Sequence, residues 1–169
     1  MKRMAASAVL MGAVLSILMG GLVSAAPGGV TDPGALADLA AVRQATARYR
    51  DVDRALAYGY VPFGDCVAEP ALGTMGIHFV NFGLAFDLTV SATSPEILLY
   101  VPSEDGLRLV GVEYFVVYVG QTAPPELFGR PLNGPMVHDE IPPHYELHAW
   151  TWQGNPAGMF AEFNPGLSC

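Results

Sequence analysis

The stretch His144-Tyr145-Glu146-Leu147-His148-Ala149-Trp150-Thr151-Trp152 decides how the rest of the chain is interpreted. Successive side chains of a β-strand point to opposite faces, so this stretch, read as a strand, has two different surfaces. One face carries His144, Glu146, His148, Trp150 and Trp152, and the other carries Tyr145, Leu147, Ala149 and Thr151. Imidazole and carboxylate groups bind zinc and iron, and indole rings exclude water. The first face is therefore predicted to line a pocket for a divalent metal or a small ligand.

Residues 1–26 have the pattern of a secretory signal peptide. Lys2 and Arg3 give a positive start, an apolar run follows over residues 5–23, and small residues precede the predicted cut after Ala26. A retained membrane anchor is the alternative, although the run is near the lower length limit for a span. We expect cleavage, which leaves no transmembrane span and makes residues 27–169 a single secreted or periplasmic domain.

The charge of the chain excludes several classes of function. The full chain has 8 Lys and Arg against 16 Asp and Glu; removal of Lys2 and Arg3 leaves 6, all arginine, against 16, a net charge of −10. A chain without lysine has neither a Schiff-base lysine nor a Walker-type phosphate loop. An acidic surface also disfavours nucleic acid. The expected partner is a metal ion or a small molecule, and the sequence does not set the oligomeric state.

Two cysteines remain after the predicted cleavage, Cys66 and Cys169. In an exported chain we expect them to form a disulfide that holds the C-terminal tail against the start of the sheet. Such a bridge closes a loop of roughly 100 residues, for which chain entropy gives about 4–5 kcal/mol. A free thiol or a metal thiolate is the alternative.

One amphipathic helix is predicted over residues 34–58. Asp32 is a suitable N-cap, Pro33 suits the first helical position, and Gly59 is a natural stop. Apolar residues recur between them at alternating steps of three and four, namely Val42, Ala45, Tyr49, Val52 and Leu56. This spacing places one apolar stripe along the helix, which indicates packing on a sheet.

Strand-like runs cover residues 77–81, 96–101 and 107–119, and residues 103–106 between the last two predict a hairpin turn. Gly111 is predicted to mark a β-bulge. Residues 60–76 are interpreted as a turn-rich connection. We therefore predict an α+β domain, with the N-terminal helix on a curved, mainly antiparallel sheet or open barrel of about five or six strands.

Residues 120–143 contain six prolines. Because proline cannot donate a backbone hydrogen bond, we predict a long ordered loop over one end of the sheet instead of a central strand. The loop is either a lid or a passive surface connection.

Several segments taken together resemble a family of uncharacterised exported bacterial proteins. They are Cys66-Val67, Met75-Gly76-Ile77-His78-Phe79-Val80-Asn81, Pro95–Tyr100, Gly111–Phe115, and Leu147–Trp152 followed by Asn155-Pro156, Gly158, Phe160, Asn164-Pro165 and a closing cysteine. The positions of His78, Glu113 and His148 match the residue types of that pattern, whereas those of His138 and His144 are not fixed in it. Phe82 departs from the proline of the pattern. The resemblance implies export and no known activity.

The matched residues His78, Glu113 and His148 lie in apolar runs, where an imidazole or carboxylate needs a partner. Two histidines and a carboxylate are a recurring ligand set for catalytic zinc and for non-haem iron. We therefore predict a metal site here, with His144 or Glu146 as a fourth ligand or a supporting partner, and Glu146 as a candidate catalytic base.

The spacing of these residues is a weak signal, because no zinc-binding sequence motif accompanies it. A structural cluster of buried histidines and acids is the alternative interpretation. In that case the protein is a non-catalytic, lipocalin-like or envelope-interaction module whose aromatic interior binds an apolar molecule or makes the core.

Overall fold

The computed structural model describes residues 29–138 and 141–169, so the predicted signal peptide lies outside the described residues. The helices are α1 (Pro33–Thr46), α2 (Val52–Ala57) and α3 (Phe82–Ala85), and a 3-10 turn (Ala47–Arg50) follows α1. The strands are β1 (Val61–Glu69), β2 (Gly73–Val80), β3 (Ile97–Ser103), β4 (Gly106–Val117), β5 (Glu126–Leu127), β6 (Arg130–Pro131), β7 (Asn133–His138) and β8 (Ile141–Ala149). Nowhere in the described ranges does a helix have the length and apolar character that crossing a membrane requires.

Six strands form one curved antiparallel sheet in the order β1-β2-β3-β4-β8-β7, and β5 and β6 form a separate small hairpin. The α+β fold predicted from the sequence is confirmed. The predicted hairpin is also confirmed, because Ser103 pairs with Gly106 and β3 continues antiparallel to β4. The register shifts next to Gly111, where the bulge was predicted.

The two faces of the sheet bury different groups. On the face that we call the helix face, side chains such as Leu98, Tyr100 and Leu147 share a core with Val42 and Tyr49 of the helical segment. On the opposite face, which we call the cavity face, a second apolar cluster contains side chains of β2, β3 and β4 together with Trp150. The alternation along β3, β4 and β8 assigns each residue to one of these faces.

The helical segment is not the single helix that was predicted. It breaks at Asp51, whose backbone is extended and whose side chain accepts a hydrogen bond from the Asp53 amide. The break resets the helical phase, so Ala55 is buried while Leu56, predicted for the apolar stripe, is 44% exposed. The start was predicted correctly, since the Asp32 side chain accepts the Ala35 amide at 2.8 Å.

Two predicted connections contain strands. Residues 61–69, predicted as part of a turn-rich connection, form the edge strand β1, which is mostly exposed and therefore lacks the apolar alternation that identifies a strand. The proline-rich segment is likewise not one long loop. Four of its six prolines lie in strands: Pro131 in the short hairpin, Pro135 in the edge strand β7, and Pro142 and Pro143 at the start of β8. Sheet edges and strand starts are positions that tolerate proline.

The chain after β8 covers part of the cavity face. The Trp150 amide donates to the carbonyl of Met159 and its indole donates to the carbonyl of Ala161. Trp152, predicted to share a face with His148, instead follows the end of β8 and donates to Thr46 beside the helices. The predicted disulfide between Cys66 and Cys169 is confirmed, and it attaches the tail to β1.

Candidate metal centre

Three strands bring together the residues that the sequence analysis singled out. Glu113 on β4 lies directly opposite His148 on β8. His78 on β2 comes from the far side of β3, and the curvature of the sheet brings its ring over that strand toward Glu113. All three side chains lie on the cavity face, so the predicted proximity of His78, Glu113 and His148 is confirmed.

The donor atoms have the separation expected of ligands around one ion. Nε2 of His78 lies 3.2 Å from Oε2 of Glu113, and Nε2 of His148 lies 3.6 Å from the same oxygen. One ligand atom from each residue lies within 4.8 Å of the other two. Two ligands bound to zinc at tetrahedral angles are separated by about 3.3 Å, given metal–ligand distances near 2.0–2.1 Å.

Two of these atoms are buried without a hydrogen-bond partner, namely Oε2 of Glu113 and Nε2 of His148. The His78 nitrogen is near the Glu113 oxygen in distance, but its direction does not satisfy hydrogen-bond geometry. An unpaired buried acceptor costs on the order of 1–3 kcal/mol, and more when it is charged. A cation placed between the three residues removes this cost, because each atom then donates a lone pair to it.

A second carboxylate lies behind this group. Oε1 of Glu146 is 3.9 Å from Nδ1 of His148, and Oε2 is 3.1 Å from Nε2 of His144. Nδ1 of His144 lies 2.8 Å from the carbonyl oxygen of Pro142. Imidazoles and carboxylates thus alternate in a row across the sheet: His78, Glu113, His148, Glu146, His144.

Both ring nitrogens of His144 contact hydrogen-bond acceptors. A carbonyl oxygen only accepts hydrogen bonds, so the His144 Nδ1 atom donates to Pro142, while its Nε2 atom faces a carboxylate. Burial acts to lower the pKa of His144, but the hydrogen bonds to Glu146 and Pro142 and the carboxylate charges outweigh it, and the pKa is raised. In this geometry the Nε2 atom of His144 contacts Glu146, which is the arrangement expected of a supporting partner.

The electrostatics of the buried group favour an ionised Glu113. Burial alone raises the pKa of this carboxyl group, but the neighbouring His148 and His78 rings outweigh burial and hold the pKa well below its usual range. Burial likewise acts to lower the pKa of His78, and the contact with Glu113 outweighs it, so that pKa is raised. Glu113 is therefore a carboxylate, the form that binds metal.

The row forms one wall of a cavity of about 690 Å³. All four histidines of the chain line this cavity, although His138 is exposed at its mouth and stacks on His144 with ring centroids 5.6 Å apart. The tail contributes Glu162 and Phe163 to the lining. The walls near the row also include apolar side chains such as Phe115.

Three exposed phenylalanines, Phe63, Phe82 and Phe86, line the cavity, and we call them its aromatic rim; the sequence analysis did not identify them. Phe82 begins the short helix α3, Phe86 directly follows its last residue, and the two rings stack. Phe63 was missed because its strand was interpreted as a connection. The roles predicted for His144 as a ligand and for Glu146 as a catalytic base stay predictions.

Comparison of the chain with protein-family models, with curated proteins and with solved structures finds no match. The resemblance to a family of exported bacterial proteins therefore stays a prediction.

Proposed function

We propose that this is an exported protein that binds one divalent metal ion, zinc or iron, through His78, Glu113 and His148. The observation that carries the proposal is the pair of buried, unpartnered lone-pair atoms on Glu113 and His148, 3.6 Å apart, with the His78 nitrogen beside them. Export is supported by the Cys66–Cys169 disulfide, since such bonds persist in oxidising compartments.

The proposed ligand set favours a site that reacts or exchanges ligands. Two imidazoles and one carboxylate fill three positions, and catalytic zinc and non-haem iron sites of this composition bind water or substrate at the others. A metal ion held here supplies a Lewis acid that polarises an oxygen or lowers the pKa of water. Glu146 faces the second nitrogen of His148 and so orients the ring, as supporting carboxylates do in metal sites.

The second candidate function is a binding module without a metal, similar in use to a lipocalin. The size of the cavity and its aromatic rim favour it, because small-ligand sites are typically concave and mostly apolar. In that case the histidines and acids form a buried polar cluster that orders the sheet. The two candidates differ in whether the cluster takes up metal.

Elemental analysis of protein purified without a histidine tag tests the proposal, together with a titration of the metal-free protein with zinc and with iron(II). We expect about one equivalent of zinc or iron in the wild type and none in His78→Ala or His148→Ala. His138→Ala is the matched control, because it removes a histidine of the same cavity that lies outside the ligand group, and it should retain the metal.

Thermal unfolding separates loss of the site from loss of the fold. Zinc should raise the melting temperature of the wild type and of His138→Ala, by an amount equivalent to about 2.7 kcal/mol at one hundred times the dissociation constant. It should leave the melting temperature of folded His148→Ala unchanged. A wild type that takes up no metal, or variants that bind it as well as the wild type, would overturn the proposal and favour the binding module.

A further inference from the structure

We propose that the cavity binds a neutral, mainly apolar small molecule carrying one oxygen donor, such as a ketone, ester or alcohol, with that oxygen at the metal. The part of the inference that concerns the oxygen donor rests on the proposed metal site. The part that concerns the apolar body rests on the rim and walls of the cavity alone.

The rim is apolar and exposed. Phe63, Phe82 and Phe86 are 42%, 44% and 56% exposed, and the ring centroid of Phe82 lies 6.0 Å from that of Phe63 and 6.3 Å from that of Phe86. Exposed aromatic side chains that line a cavity are covered when an apolar ligand enters it. Burial of this surface provides a driving force of roughly 25 cal/mol per Å².

The charges around the cavity argue against an anionic ligand. Among the described residues that line it, none is arginine or lysine, whereas carboxylate and phosphate sites generally use these residues. Asp65 and Glu162 add negative charge to the lining, and both are exposed. An anion entering past them would be repelled and would find no guanidinium partner.

The charge at the inner end of the cavity, where the row of imidazoles and carboxylates lies, argues against a cationic ligand. The proposed metal adds two positive charges beside Glu113, and these repel a cation. A neutral oxygen donor avoids both conflicts, since it carries no net charge and still provides a lone pair for the metal. The volume of about 690 Å³ lies within the range of roughly 300–1,000 Å³ for small-molecule sites.

The experiment uses the neutral dye Nile red as a fluorescent probe of the cavity, with 2-octanone and octanoate as competitors of equal chain length. We expect Nile red to bind, 2-octanone to displace it, and octanoate to displace it at least about 10-fold less well. Equal or stronger competition by octanoate would overturn the preference for a neutral ligand.

The contribution of the rim is tested with the double variant Phe82→Ser/Phe86→Ser. The matched control is Leu36→Ser/Leu56→Ser, which removes two apolar side chains that are exposed to a similar degree on the helices and do not line the cavity. We expect the rim variant to bind Nile red about 10-fold more weakly and the control to bind as the wild type does. Equal binding by the rim variant and the wild type would overturn the inference.

The contribution of the metal is measured separately. Zinc content is determined by elemental analysis, and the affinity for 2-octanone is compared between zinc-loaded wild type and folded His148→Ala. We expect weaker binding of 2-octanone to His148→Ala by about 10-fold, with binding of Nile red unchanged. If zinc binds and the ketone affinity does not change, the oxygen-donor part is wrong. If zinc does not bind, the proposed metal-binding function is wrong. The Nile red titration still tests whether the cavity binds an apolar molecule.

Discussion

Glu146 lies between His148 and His144 in the row of imidazoles and carboxylates. Its two carboxylate oxygens lie 3.9 Å from Nδ1 of His148 and 3.1 Å from Nε2 of His144, so we expect it to favour the orientation in which the opposite nitrogen of His148 points toward Glu113. Substitution by glutamine keeps the shape of the side chain and removes the negative charge beside the His148 ring. We expect Glu146→Gln to weaken zinc binding by about 10–100-fold, measured by competition with a chelator of known affinity.

Glu113→Gln provides the reference for that experiment, since it removes a proposed ligand and should weaken binding more than Glu146→Gln does. Glu104→Gln changes an exposed acid in the β3–β4 turn and should have no effect. Zinc binding by Glu146→Gln that equals the wild type would contradict the orienting role.

Glu96 makes stability depend on pH. It directly precedes β3 and is 2% exposed, its Oε2 atom accepts the Phe115 amide at 3.1 Å, and burial raises its pKa to about 8. The folded state therefore binds a proton that the unfolded state, with a pKa near 4.5, releases. This contribution to stability is fully present below about pH 4.5 and is lost as the pH rises toward 8.

We therefore expect the free energy of unfolding of the metal-free wild type to fall as the pH rises from 5 to 8. Glu96 should contribute on the order of a few kcal/mol to this decrease. Glu96→Gln cannot ionise and should lose less over the same range. Urea denaturation of both proteins at several pH values measures the difference between their free energies of unfolding. Both proteins contain the same histidines, so the histidine contributions cancel in this difference. Parallel pH profiles would show that Glu96 does not titrate between these limits.

At the level of secondary structure elements, the pairing of β2 with β3 depends on Gly76. Its φ angle is +107°, and a Cβ atom there would lie 2.5 Å from the backbone oxygen of Tyr100. Gly106 in the β3–β4 turn has a similar φ angle of +114° with no atom within 4 Å of such a Cβ. Both glycines thus have a positive φ angle that an alanine adopts only with strain. Only at Gly76 does a neighbouring backbone also leave no room for a Cβ atom.

We expect Gly106→Ala to cost about 1–2 kcal/mol, the strain of a left-handed alanine alone. Gly76→Ala should cost clearly more, about 3 kcal/mol or above, because the backbone of β2 must also move away from β3. Chemical denaturation measures both values. Zinc titration of folded Gly76→Ala provides a second readout, since His78 lies two residues along the same strand. Equal costs for the two variants would contradict the close approach.

At the scale of the whole molecule, the Cys66–Cys169 disulfide joins the tail to the edge strand β1 across 103 positions of sequence. The tail forms one wall of the cavity through Phe163 and Glu162, but the three proposed ligands lie on β2, β4 and β8. The disulfide therefore stabilises the fold and the cavity wall more than it positions the ligands.

We expect Cys66→Ser/Cys169→Ser to lower the free energy of unfolding by about 2–5 kcal/mol. Zinc affinity of the folded double variant should stay within a few-fold of the wild type, whereas Nile red should bind more weakly because the wall is less constrained. Denaturation, zinc titration and dye titration measure these effects. Loss of zinc binding by the folded variant would show that the tail positions the ligands.

The sequence by itself determined the features that follow from local pattern. The alternation in β8 placed His144, Glu146 and His148 on one face, the Asp32-Pro33 pair set the start of the helix, and export with two cysteines predicted the disulfide. These features were predictable because side-chain direction and capping depend on neighbours close in sequence. The exposed strand β1 was not predictable in this way, because neither of its faces is buried enough to leave a pattern.

Only the tertiary structure decided which distant groups meet. The strand order puts β8 beside β4, so His148 lies opposite Glu113, and the curvature of the sheet brings His78 over β3 to the same oxygen. It also decided that Trp152 packs beside the helices. Strand order and curvature depend on how the surfaces of several elements are buried together. The periodicity within a single segment therefore does not predict them.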